Sequence, residues 1–77
     1  MSATMINMES DFRMVDILNA DQLEIGDLIG IGEDIVKIIS ISSLQNGFSI
    51  EVENNFGEKD LVDISEDDKF ELFIENF

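Results

Sequence analysis

Between Phe48 and Asn54 apolar and polar residues alternate without a break. Phe48, Ile50 and Val52 fall on one side, and Ser49, Glu51 and Glu53 on the other. A period of two predicts a half-buried strand. The same period governs Phe70–Glu75, where Phe70, Leu72 and Ile74 oppose Glu71, Phe73 and Glu75. Lys59–Ile64 reads as a further strand, and Asp27–Ile31 as the first of the series. Ile35–Ser43 is apolar on both sides, with Ile35, Ile39 and Ile41 against Val36 and Ile38, which predicts a central, curved strand. Met14–Leu18 is short, apolar and extended.

Turn residues separate these runs. Gly30, Gly32, Glu33 and Asp34 form one turn. Gln45-Asn46-Gly47 forms a hairpin, Asn-Gly being the pair that suits positive φ. Asn54-Asn55-Phe56-Gly57 forms another. Asn19 or Asp21 can cap a single helical turn, after which Leu23 and Ile25 enter the core and Gly26 turns the chain. Ser65 caps a helical or 3-10 turn over Glu66, Asp67 and Asp68. The phase of the runs predicts a core of Leu23, Ile25, Leu28, Ile39, Ile41, Phe48, Ile50, Val52, Leu61, Phe70, Leu72 and Ile74.

Five short, evenly spaced strands joined by tight turns predict an all-β fold. The expected architecture is a small five-stranded barrel over residues 14–77, preceded by a flexible N-terminal arm over residues 1–13. An open antiparallel sheet covered by that arm is the alternative. The order of elements resembles the SH3-like barrels. It starts with Ala20-Asp-Gln-Leu-Glu-Ile-Gly-Asp27 and a strand, followed by a Gly-Glu turn, a strand, an Asn-Gly hairpin, two strands separated by a turn, a helical turn and a last strand. It is most similar to the KOW-like and elongation-factor-P-like N-terminal domains, and to small phage-encoded proteins of that shape. The likeness covers roughly Val15–Ile74, and it implies a binding role without a catalytic residue. Members that bind nucleic acid or the ribosome carry basic loops, whereas the corresponding loops here hold Glu33, Asp34, Glu58 and Asp60.

Charge sharpens the functional reading. Eighteen Asp and Glu stand against four basic residues, Arg13, Lys37, Lys59 and Lys69, for a net charge of −14 in 77 residues. With 44% hydrophobic residues the chain can still build a core, so the charge belongs on the outside of a folded domain. That surface repels nucleic acid and anionic membranes and attracts basic proteins. The expected partner is therefore a protein, a basic one, with no direct contact to nucleic acid or membrane. The chain has no Cys and no His, which removes thiolate chemistry, zinc ligation and the usual proton carrier near neutral pH. Ser40, Ser42 and Ser43 have no base to activate them. Glu66-Asp67-Asp68 does not follow the spacing of a calcium loop. No catalytic residue, metal or cofactor is expected, and the chain reads as a non-enzyme. The N-terminus lacks a basic leader and no run is long enough to span a membrane, so a cytoplasmic location is expected.

Two functional readings follow. In the first the chain is an acidic protein-binding module, an adaptor or assembly factor, with Phe73 as an apolar contact because it falls out of phase with Phe70 and Leu72. In the second it is a polyanionic mimic of nucleic acid that blocks a basic protein. Same-face carboxylates on a strand stand about 6.6 Å apart, of the order of successive phosphates. The candidate contact residues are Glu51, Glu53, Asp60, Asp63, Glu71, Phe73 and Glu75. Phe56 is expected to fold back over the barrel end, and Phe77 is a further apolar candidate.

Overall fold

The computed structural model describes residues 12–75. Six strands follow one another: β1 (Phe12–Asn19), β2 (Leu28–Ile31), β3 (Asp34–Leu44), β4 (Gly47–Glu53), β5 (Lys59–Ser65) and β6 (Lys69–Glu75). A single 3-10 turn, Ala20–Gln22, interrupts them between β1 and β2. The strands form one antiparallel sheet in the order β1-β6-β2-β3-β4-β5. The fold is all-β, as the alternation predicts, with six strands rather than five. Phe12–Asn19 is not a short extended lead-in, because it pairs with β6 from Phe12↔Glu75 to Asn19↔Lys69. Phe12 and Arg13, expected in the arm, open this strand. The rest of the expected arm, residues 1–11, lies outside the described residues, as does Phe77.

The sheet does not close. Among the described residues β1 and β5 are its two edges and do not pair. One core lies on the inner face of the sheet. Ala20, Leu23, Ile29, Val36, Ile38, Ile50, Val52 and Ile64 form that core, and Leu18, Ile31, Ile41, Phe48, Val62, Phe70 and Leu72 pack against it.

Two register shifts set the phase. In β3 the pairing steps from Ile38↔Val52 to Ser40↔Glu51, leaving Ile39 as the extra residue of a β-bulge. Val36 and Ile38 therefore point inward before the bulge and Ile41 after it, which explains why this strand is apolar on both faces. Ile38 takes the core place expected for Ile39. In β1 the shift lies between Met14 and Asp16, with Val15 extra.

Four other expected core residues lie elsewhere. Leu28 is half-buried on the outer face, in register with Phe73 and Lys37, and Ile74 is 40% exposed where β6 pairs with Arg13 of the edge strand. Ile25 is 66% exposed because it sits in the turn closed by Asp27 N–H donating to the Glu24 carbonyl, where strand alternation no longer applies. Leu61 is 74% exposed, since it pairs with Glu51 on the outer face while Val62 and Ile64 pair with Ile50 and Phe48.

The turns also differ in detail. Gly30 lies within β2, opposite Ile35, and the β2–β3 turn is made by Gly32 at φ 63 with Glu33. Gly47 does not have positive φ. It is required for proximity instead, because a Cβ there would run into the backbone carbonyl oxygen of Ile64. Residues 65–68 form a hydrogen-bonded turn rather than a helical one, with Asp68 Oδ2 accepting from Ser65 N at 2.9 Å and Ser65 Oγ from Asp67 N at 3.3 Å.

Candidate functional site

Paired residues on neighbouring strands share a face, so the register maps the outer surface. One row crosses it as Met14–Phe73–Leu28–Lys37–Glu53–Lys59. The β1 side of this row is apolar and the β5 side is charged. Phe12↔Glu75 and Ile17↔Glu71 flank it on β1 and β6.

Phe73 is half-buried, and its position depends on Gly30. A Cβ on Gly30 would approach the Phe73 ring to 3.2 Å, so the absent side chain lets the ring lie down over β2. Glycine covered by an aromatic from the next strand restores the packing that the glycine lacks. Phe12, Leu28, Ile35, Lys37, Glu53 and Glu75 border a shallow groove of about 180 Å³ beside it.

The acidic candidates divide into separate settings. Glu71 and Glu75 stand on β6 beside Phe73. Glu51, Glu53 and Asp63 stand on the outer face of β4 and β5, across Lys37 and Leu28 from the first pair. Glu51 accepts a hydrogen bond from Ser40 Oγ at 3.4 Å. Glu53 lies in register between Lys37 and Lys59, so two of the four basic residues neighbour this one carboxylate. Asp60 is on the opposite side of the sheet. It pairs with Val52 and borders an inner-face cleft of about 110 Å³ with Asp34, Val36 and Glu58. The carboxylates thus do not form one continuous string.

Phe56, expected over the barrel end, is instead 82% exposed. The β4–β5 turn holds it there. Asn54 Oδ1 accepts from Phe56 N at 2.9 Å and Glu58 N at 3.0 Å, while Asn54 Nδ2 donates to Glu58 Oε1 at 2.9 Å. Gly57 closes the turn at φ 83. The sequence signal was Asn54 itself, a residue suited to bonding the backbone two positions on.

Among the described residues no three His, Cys, Asp or Glu are placed to hold a metal ion, and no helix is long and apolar enough to cross a membrane. Comparison of the chain with family models, with curated proteins and with solved structures returns no match.

Proposed function

We propose that this chain is a non-enzymatic acidic protein-binding module, an adaptor or assembly factor, that takes a basic protein on the outer face of its sheet. One observation carries this reading: the apolar row Met14–Phe73–Leu28 lies between carboxylates, with Glu71 and Glu75 on β6 and Glu53 beyond Lys37. An apolar centre supplies affinity through buried area, and a charged rim supplies orientation and on-rate. The partner chemistry that fits is an apolar side chain flanked by Lys or Arg. The resemblance to SH3-like barrels supports a binding role, and the net charge argues against nucleic acid or an anionic membrane as the direct partner. The module is taken to act in the cytoplasm.

The polyanion reading has less support on this face. Its best pair, Glu51 and Glu53, is engaged by Ser40 and flanked by Lys37 and Lys59, and Asp60 faces the other way.

Salt-stepped affinity capture from the native host, followed by titration of the captured protein against variants, tests the proposal. Met14→Ala with Phe73→Leu should lose binding at low and high salt alike, and Glu71→Gln with Glu75→Gln should slow association at low salt. If Glu51→Gln with Glu53→Gln abolishes binding while the apolar variants bind normally, the polyanion reading replaces this one.

A further inference from the structure

The two edges of the sheet differ in kind. β5 carries Lys59, Asp60 and Asp63 along its length, charges that deter the addition of another strand. On β1 the charges of Arg13 and Asp16 cancel, and Met14, Val15 and Ile17 are 47%, 44% and 55% exposed. Among the described residues nothing pairs with the outer side of this strand.

The direction of its backbone groups follows from the ladder. Ile38, on the inner face, donates to the Asp27 carbonyl at 2.9 Å and accepts from Gly26 N at 2.8 Å, so inner-face residues of β3 bond toward β2. Along an antiparallel strand the bonding direction alternates together with the side-chain face. Carried through β2 and β6, the alternation leaves Phe12, Met14 and Ile17, the outer-face residues of β1, with N–H and C=O directed at the open edge. Ile17 N–H is met there by the side chain of the preceding residue, Asp16 Oδ1, at 2.7 Å. A carboxylate stands where the carbonyl of a neighbouring strand would be.

We propose that the occupant of this edge is β1 of a second copy, paired antiparallel about a two-fold axis that passes between Met14 and Val15. In this register Phe12 lies opposite Ile17 of the partner subunit, and Arg13 opposite Asp16 of the partner subunit. In an unbroken strand such a register would oppose residues from different faces. The extra residue Val15 shifts the phase halfway along, so Phe12 and Ile17 are both outer and Arg13 and Asp16 are both inner. Each strand brings one extra residue to the axis, so the two bulges match and the ladder stays in step.

The bonding follows the same geometry. Phe12 and the partner's Ile17 form a hydrogen-bonded pair, since both direct their backbone groups outward. Arg13 and the partner's Asp16 form the closer, non-hydrogen-bonded pair, with Cα atoms about 4.5 Å apart. Asp16 leaves the Ile17 N–H as the partner's Phe12 carbonyl takes that bond, and turns to the guanidinium. Two-fold symmetry makes every contact twice. A single strand pair buries less than the ~1,200 Å² of a standard interface, so the dimer is reversible.

Analytical ultracentrifugation of the full chain tests this at physiological ionic strength, where repulsion between the two acidic bodies is screened beyond about 8 Å. A monomer–dimer equilibrium is expected between micromolar and millimolar protein. Asp16→Arg should weaken it at least about tenfold, because two attractions per dimer become two repulsions. General repulsion falls in that variant, so net charge alone would strengthen the dimer. Arg13→Asp combined with Asp16→Arg should restore association. Amide exchange at Phe12 and Ile17 should slow as concentration rises. A monomer up to millimolar protein overturns the proposal, as does undiminished dimerisation of Asp16→Arg, or a folded double variant that stays monomeric. Slow exchange at Ile17 in a concentration-independent monomer would mean the edge is covered within the chain, which also overturns it.

Discussion

Replacing Ile50 with Ala should cost about 3–4 kcal/mol. Ile50 is fully buried, held between Ile41 on β3 and Val62 on β5. The change removes three carbons, about 2.4 kcal/mol of transfer free energy at ~0.8 kcal/mol per methylene. Both flanking strands are tied to β4 by ladder bonds and collapse only partly into the gap, which adds the remainder and keeps the total inside the usual ~2–5 kcal/mol. A chain of 77 residues has roughly 4–12 kcal/mol in all, so the variant loses a large share of its stability. Urea unfolding followed by circular dichroism reads the effect as a midpoint lower by about 3–4 M, at an m value near 1 kcal/mol/M. Leu61→Ala is the matched control on the neighbouring strand. Its side chain is on the outer face, and its removal should cost less than about 0.5 kcal/mol. Equal costs for the two would refute the phase assigned to β5, and a cost below about 1 kcal/mol at Ile50 would refute the packed core.

Gly47→Ala should cost about as much as a core truncation, about 3 kcal/mol or more, because its Cβ meets backbone of β5 rather than a side chain that can move; a melting temperature within a few degrees of the parent would show the strands can part there. Added salt should raise the melting temperature, since a net charge of −14 repels itself most strongly in the compact state. A flat or falling salt curve would mean the charges are already locally compensated.

The fold class was legible because alternation survives wherever a strand is regular. Phe48, Ile50 and Val52 behave as their spacing predicts. Failures cluster where one residue breaks the period. Ile39 is placed in the core by counting, but its own bulge displaces it in favour of Ile38, and no feature of a single strand announces a bulge. Leu61 and Val62 are adjacent apolar residues, and the larger one was expected inside. The inward phase belongs to Val62 because Ile64, two positions on, is buried, at the cost of turning Asp60 inward as well. Of the candidate site, the out-of-phase position of Phe73 was visible in the sequence. Its half-burial was not, because that depends on Gly30 in a strand more than forty positions away. The separation of Glu71 and Glu75 from Glu51 and Glu53 likewise follows from strand order, which alternation does not encode.

Strand order also divides the molecule by the length of chain that each pairing must close. β2, β3, β4 and β5 form a meander whose neighbours in space are neighbours in sequence. β6 must cross back over the whole meander to reach β2, and β1 then pairs with β6 from the opposite end of the chain. Closing those larger loops costs more entropy, so the meander assembles first and the β1–β6 ribbon docks last. The same ribbon carries Met14, Phe73, Glu71 and Glu75. Its detachment would remove the proposed binding face while the meander stayed paired, and faster amide exchange in β1 than in β4 would report it. A partner seated on that face, or a second copy on the β1 edge, would then clamp the least secured part of the sheet, and recognition and the final step of folding would draw on the same contacts.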